Sequence, residues 1–250
     1  MSPTTAEAAA AVQRVERLAT DVAFALLTQV ELVLEDQETC HLMLSGGSTG
    51  TALARALAEP LLASRLPWSR LHLWLADERS VPPAHPDSNW GNLERALLTR
   101  LPAPPAGQHR PAGEQRPLAP AAAAYEAELR RAVPGTTAGR PRVDLLLLGL
   151  GADGHTASLF PGTPALEEEE RLFVANPVPA LGTTRLTITY PVIAAAREVW
   201  FVVGGPGKGA ALRRVHGQEP GAELPAARVV RLATKVRWWL DPVAAAELAG

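Results

Sequence analysis

Val143-Asp144-Leu145-Leu146-Leu147-Leu148-Gly149-Leu150 runs directly into Gly151-Ala152-Asp153-Gly154-His155-Thr156-Ala157-Ser158, and this stretch decides the fold class. From Val143 to Leu150 the chain is almost uniformly aliphatic, the pattern of a parallel strand buried on both faces. A central strand is expected there. Working outward, the same cycle of apolar run, sharp turn and helix recurs. His41 to Leu44 ends in Ser45-Gly46-Gly47-Ser48-Thr49-Gly50, with a helix expected over Thr51 to Ala63. Leu71 to Ala76 ends in Asp77-Glu78-Arg79, before a Pro-rich loop and a helix from about Asn89 to Leu101. Thr184 to Thr189, Val199 to Val203 and Val236 to Leu240 read as further strands, with helices near Pro191 to Arg197, Pro206 to Val215 and Pro242 to Leu248. Helical spacing also covers Thr5 to Leu34 and Ala121 to Val133, the latter supported by Glu126 and Arg130 one turn apart. Pro102 to Pro120, rich in Pro, Ala and Gly, reads as a long surface connection. Strands alternating with helices imply an α/β fold, a mostly parallel sheet with helices on both faces and no internal repeat.

A length of 250 residues suits one α/β domain over 1–250. Lys and Arg number 24 against 26 Asp and Glu, so the net charge of -2 offers no whole-protein field for nucleic acid or an anionic membrane. Any anion site is therefore local. The single cysteine, Cys40, permits no intrachain disulfide and no cysteine-based metal cluster, which fits a reducing cytoplasm. Met1 to Ala11 lacks the basic and apolar regions of a signal peptide, and Thr28, Gln29 and Glu31 interrupt Val22 to Leu34, so neither export nor a membrane span is expected.

In an open α/β sheet, ligands bind where strand ends feed into helix N-termini. Four such ends carry chemistry here. Ser45, Gly46, Gly47, Ser48 and Thr49 read either as a tight turn with a hydroxyl N-cap or as an oxyanion cradle of backbone amides at a helix start. The turn lacks the Lys-Ser/Thr ending of a nucleotide-binding loop and the spacing of a dinucleotide fingerprint. Asp77-Glu78-Arg79 is either a solvated loop or the bearer of a guanidinium fork for phosphate, Arg79. Asn89, ahead of the next helix, is a polar contact or only its N-cap. Asp153, Gly154 and His155 place an acid and an imidazole two residues apart at the mouth of a buried strand, where general acid/base work needs them. A metal reading of Asp153 and His155 lacks a second His or Cys at ligand spacing. Lysine occurs only at positions 208 and 235, and Lys208 follows Gly204-Gly205-Pro206-Gly207 at an expected helix start, where its ammonium and free N–H groups would face an anion. An ordinary exposed lysine is the alternative. Arg185 points into the cleft or into solvent. His41, His72, His85, His109 and His216 have no partners at recognisable spacing and read as structural or surface residues.

Taken together, S-G-G-S, D-E-R-x-V, S-N-W-x-N, G-x-G-x-D-G-H-T-A-S-L-F-P, Thr184-Arg185-Leu186-Thr187 and G-x-x-K resemble the 6-phosphogluconolactonase family, in order from Leu42 to about Leu212. The resemblance implies a three-layer α/β/α, Rossmann-like fold, shared with glucosamine-6-phosphate deaminases and ribose-5-phosphate isomerases. It implies hydrolysis of 6-phospho-D-glucono-1,5-lactone in the oxidative pentose phosphate pathway, with no cofactor; the motifs themselves contain no metal-ligand set, so no metal is expected. Deaminases of this superfamily resemble D-E-Y at Asp77-Glu78-Arg79 and carry an Asn-Glu pair where this chain has Leu159 and Phe160. Family members often begin with a short strand before the first helix, for which Met1 to Thr5 offers little apolar alternation.

On this reading the partner is a small phosphorylated sugar lactone, its phosphate on the Ser45 to Thr49 turn, Arg79 and Lys208, with Arg185 a further candidate. Neutral His155 takes a proton from the water attacking C1 and returns it to the leaving ring oxygen. Asp153 orients the imidazole or the water, Asp77 holds sugar hydroxyls or assists, and amides of Gly46, Gly47 or Gly154 are candidates for the oxyanion. The rival readings are a glucosamine-6-phosphate deaminase or sugar-phosphate isomerase, and a non-catalytic sugar-phosphate sensor, for which no helix-turn-helix or basic patch is visible. The oligomeric state is not legible.

Overall fold

The computed structural model describes residues 12–135 and 139–249. In chain order the elements are β1 (Val12–Arg14), α1 (Leu18–Asp36), β2 (Cys40–Leu44), α2 (Gly47–Leu57), α3 (Pro60–Ala63), β3 (Leu71–Leu75), β4 (Asp77–Arg79) and α4 (Asn89–Ala96). Then come β5 (Gly107–His109), α5 (Leu118–Ala132), β6 (Leu145–Leu148), β7 (Phe173–Val178), β8 (Thr183–Ile188) and α6 (Tyr190–Ala195). The chain continues through β9 (Glu198–Val203), α7 (Gly209–Val215), α8 (Pro225–Leu232), β10 (Val236–Leu240) and α9 (Pro242–Ala249). Seven strands form one sheet in the order β1-β10-β9-β6-β2-β3-β5, every pairing parallel. Among the described residues no helix is long and apolar enough to cross a membrane.

The expected central strand is β6, flanked by β2 and β9. Its four leucines are buried because both faces are covered: Leu146 and Leu148 join one core with α5 to α9, and Leu145 and Leu147 join the other with α1, α2 and α4. The chain steps outward from β2 to β3 and β5, then restarts on the other side of β2 with β6. The β2/β6 boundary is thus the topological switch point, where a ligand crevice opens at the carboxyl ends of the strands.

Several expectations need correction. The helical reading of Thr5 to Leu34 is broken at Val12–Arg14, an edge strand parallel to β10, and the helix α1 begins at Leu18; Met1 to Ala11 lies outside the described residues. Three residues are too few to show a period. The helix expected over Thr51 to Ala63 begins at Gly47 and breaks before Pro60, which has no N–H to continue the ladder. Pro102 to Pro120 holds the far edge strand β5, and α5 begins within it at Leu118. The expected strand Thr184 to Thr189 is β8, but it lies in a separate antiparallel sheet, β4-β8-β7. β7 went unread because Pro177 interrupts it, which is tolerable only on an edge. α8 was likewise unread.

Three histidines read as unpartnered meet across β2, β3 and β5. His41 accepts from Trp74 Nε1 at 3.1 Å and stacks on His72 at 4.5 Å; His72 Nδ1 lies 3.0 Å from His109 Nε2, and His109 Nδ1 lies 2.6 Å from Glu128. Burial, then the neighbouring His72 and His109, push His41 down to about 4. An unfolded imidazole titrates near ~6.5, so as pH falls the unfolded chain takes up this proton first. The stabilisation is complete above about pH 6.5 and is lost towards pH 4, on the order of 3 kcal/mol. His41→Gln, which keeps an acceptor for Trp74, is expected to flatten the fall of the urea midpoint between pH 7 and 4.5. Parallel profiles for variant and wild type would contradict this.

Candidate active site

The cleft is built at the switch point. Ser45 continues the parallel ladder through its N–H to Leu147 O at 3.0 Å, and the chain then turns at Gly46 into α2. Gly46 has no room for a side chain, since a Cβ there would lie 1.9 Å from Asn89 Oδ1. The first-turn amides of α2 have no intrahelical acceptor and sit at the positive end of its dipole. Ser45, Gly46, Gly47, Ser48 and Thr49 line one cavity together with Asp77, Arg79, Asn89, His155 and Lys208. Ser45 Oγ and Asn89 Oδ1 are buried there without a hydrogen-bond partner among the described residues.

An adjoining cavity shares Asp77, Arg79, His155 and Ala157 and adds Asp153, Ser158, Phe160 and Arg185. His155 stands between the two. Its Nδ1 lies 2.5 Å from Asp153 Oδ1, which also accepts the His155 backbone N–H at 3.1 Å. Burial pushes the Asp153 carboxyl up, but these two hydrogen bonds and the imidazole's charge outweigh it and leave the group below its ordinary value. With Nδ1 donating to Asp153, Nε2 carries the free lone pair. Phe160 stacks on the imidazole at 4.2 Å.

Gly151 completes the clamp. A Cβ at this position would lie 2.0 Å from His155 Nδ1 and 2.6 Å from Asp153 Oδ1, so Gly151→Ala must displace the ring. A displacement of about 1 Å at a catalytic group can cost 10²-fold, and the variant is expected to lose at least ten-fold in kcat, read in a steady-state assay, while its melting temperature moves little. A wild-type kcat would show that the ring position is immaterial.

Three cations line these cavities outside any ion pair among the described residues. Arg79 and Arg185 are directly opposed in the β4/β8 pairing, an arrangement of like charges that costs energy unless an anion lies between them. Among the described residues neither guanidinium has a carboxylate within ion-pair distance, and nor does Lys208 Nζ. Arg79 Nη1 is held by Asp87 O at 2.5 Å. Arg185 Nε is buried without a partner among the described residues, and burial, then Arg79, pull this guanidinium below its ordinary pKa.

Some sequence expectations fail at this level. Gly154 lines neither cavity, and its N–H donates to Gly151 O at 3.0 Å, so it is not an oxyanion donor. The N–H groups at Lys208 are not free: those of Gly207, Lys208 and Gly209 all donate to Glu247, leaving only the ammonium for an anion. The N-cap of α4 is Ser88, not Asn89; the Asn89 side chain donates to Asp77 O and Oδ1 at 2.9 and 3.2 Å. Glu78 is not solvated. It is buried and accepts from Ser88 Oγ and the N–H groups of Arg79, Asn89 and Trp90, pinning α4 to the strand that carries Asp77 and Arg79.

Sequence reasoning assigned no role to Ser158, whose Oγ donates to Asp77 Oδ2 at 2.7 Å, or to Asn176, which holds Ser158 O at 2.9 Å. Ser158 lies in the His155 segment and was accessible from it; Asn176 gives no sequence signal. Ala157 adopts φ +47°, a strained left-handed turn facing both cavities.

The family model for glucosamine-6-phosphate isomerases/6-phosphogluconolactonase matches residues 13–238. A curated 6-phosphogluconolactonase of Nostoc sp. is 38% identical over 89% of this chain and 90% of its own length. The Homo sapiens 6-phosphogluconolactonase is 41% identical over 81% of this chain and 78% of its own. Among solved structures, 6-phosphogluconolactonase from Thermotoga maritima superposes with a TM-score of 0.78 at 28% identity, covering 92% of this chain and 99% of that one.

Proposed function

The chain belongs to the glucosamine-6-phosphate isomerase/6-phosphogluconolactonase family, and from that premise we infer that it hydrolyses 6-phospho-D-glucono-1,5-lactone to 6-phosphogluconate in the oxidative pentose phosphate pathway. One observation carries the reading: an imidazole fixed by a carboxylate on Nδ1 opens onto a cleft shared with cations that have no carboxylate partner among the described residues. The phosphate lies on the α2 amides, Arg79 and Lys208, with Arg185 reaching it from the adjoining cavity. Asp77, held on each oxygen by a donor, keeps a lone pair on each for sugar hydroxyls.

His155 Nε2 takes a proton from water as its oxygen adds to C1. The oxyanion that forms is met by the amide of Gly46, ahead of the α2 amides that take the phosphate. When the bond from C1 to the ring oxygen breaks, the imidazolium returns the proton to that oxygen, and Asp153 stabilises the charged ring in between. Among the described residues no cluster of three or more His, Cys, Asp or Glu is gathered as a metal site, and activity is expected to survive exhaustive chelation. Loss with EDTA and recovery with one divalent ion would overturn that expectation. Cys40, buried and unpaired, supports placing the enzyme in the cytoplasm.

The deaminase alternative is disfavoured at position 160, where an aromatic ring stacks on His155 and supplies no acid/base group. The test is to offer both substrates. Accelerated loss of 6-phosphogluconolactone without ammonia release from glucosamine-6-phosphate is the expected pattern; ammonia release with no effect on the lactone would reverse the assignment.

A further inference from the structure

The loop Gly204 to Lys208 carries the lysine into the cleft, yet its own sequence fixes little. Four of its five residues are Gly or Pro, and Gly205 and Gly207 adopt φ +79° and +81°, so the loop in isolation has many conformations. The last helix fixes it. Glu247 in α9 accepts the N–H groups of Gly207, Lys208 and Gly209 at 2.8, 2.7 and 2.7 Å. Asp241, just before α9, accepts the Gly205 N–H at 2.7 Å while capping α9 through Ala244 N–H at 2.8 Å. Three successive amides converging on one carboxylate make an anion nest, filled here from within the chain.

The approach of α9 to α7 is close by necessity. A Cβ at Gly209 would lie 2.9 Å from Glu247 Cβ, and Arg213 of α7 donates to the Glu247 carbonyl at 2.5 Å. Hydrogen bonds from Gly207 and Lys208 hold the Glu247 carboxyl below its usual range, so it is anionic at neutral pH. Among the described residues Lys208 Nζ has no carboxylate within ion-pair distance, and Lys208 lines the cavity with Arg79 and His155. Glu247 also lies beyond residue 238, where the family match ends.

We propose that Glu247 is a positioning residue, which fixes the Lys208 loop from outside the cleft so that the ammonium meets the substrate phosphate. This rests on the reading that Lys208 holds that phosphate. The C-terminal helix then belongs to the binding apparatus, and its effect passes through Lys208 alone.

The test is a double-mutant cycle with Glu247→Ala and Lys208→Ala, reading KM and kcat for the phosphorylated lactone and the inhibition constant of inorganic phosphate. Glu247→Ala is expected to raise KM and the phosphate inhibition constant together, roughly five- to twenty-fold, with kcat falling by no more than about two-fold. Glu247→Gln, which keeps one acceptor, should fall between. In the Lys208→Ala background, Glu247→Ala should add less than about two-fold. An unchanged KM in a variant shown by circular dichroism to be folded at the assay temperature would overturn the proposal. So would an equal rise in KM with and without Lys208, the signature of a general structural role. Lys208→Ala without any effect of its own would contradict the phosphate reading itself, a distinct outcome that removes the basis for the proposal as well.

Discussion

Turnover of the phosphorylated lactone by His155→Ala is expected to be roughly 10²- to 10⁴-fold slower than wild type, the range for loss of a general acid/base. The affinity for 6-phosphogluconate should change little, because in the proposed mechanism Nε2 acts on the attacking water and the leaving oxygen rather than on the phosphate. Asp153→Asn tests the same unit from behind. Its amide can still accept the His155 backbone N–H but no longer stabilises an imidazolium, so kcat should fall by less than in His155→Ala, and the double variant should be little worse than His155→Ala alone. A near-wild-type rate in His155→Ala would remove the imidazole from the mechanism.

The second large effect concerns the phosphate. On the proposed phosphate placement, Arg79 and Lys208 each offer a charge-assisted contact worth about 1.5 to 3 kcal/mol, so Arg79→Ala or Lys208→Ala should weaken 6-phosphogluconate binding roughly ten- to a hundred-fold, read by competitive inhibition. Arg79→Lys should restore this only in part. The native guanidinium is braced by Asp87 O and opposed to Arg185, and a point charge reproduces neither the fork nor its orientation. Full rescue by lysine would mean that charge alone matters at that position.

The parts of the fold legible in the sequence were those whose pattern is long and local. Leu145–Leu148 reads as a doubly covered strand because all four side chains need burial, and the motif that follows places Asp153 and His155 on one turn. Short elements stayed hidden because their pairing, not their sequence, makes them strands: Val12–Arg14 exists through β10, and Gly107–His109 through β3. The same limit applies to the site. That Arg79 faces Arg185 follows from the β4/β8 register, and that Glu247 occupies the amides beside Lys208 follows from contacts 38 to 40 residues apart. Whether the Gly154 amide was free depended on how its turn closes onto Gly151 O, which glycine content alone does not determine.

We propose a division of labour in which His155 acts on the lactone and the cations act on the phosphate. It is tested most directly by comparing kcat/KM for 6-phosphogluconolactone, generated in place by glucose-6-phosphate dehydrogenase, with that for unphosphorylated glucono-1,5-lactone in wild type, His155→Ala and Lys208→Ala. His155→Ala is expected to abolish most of the acceleration of both substrates. Lys208→Ala should cost the phosphorylated lactone roughly ten- to a hundred-fold while the poor rate on the unphosphorylated one moves by less than about two-fold. Equal losses on both substrates in Lys208→Ala would contradict it, because the lysine would then be serving the lactone or the fold rather than the phosphate.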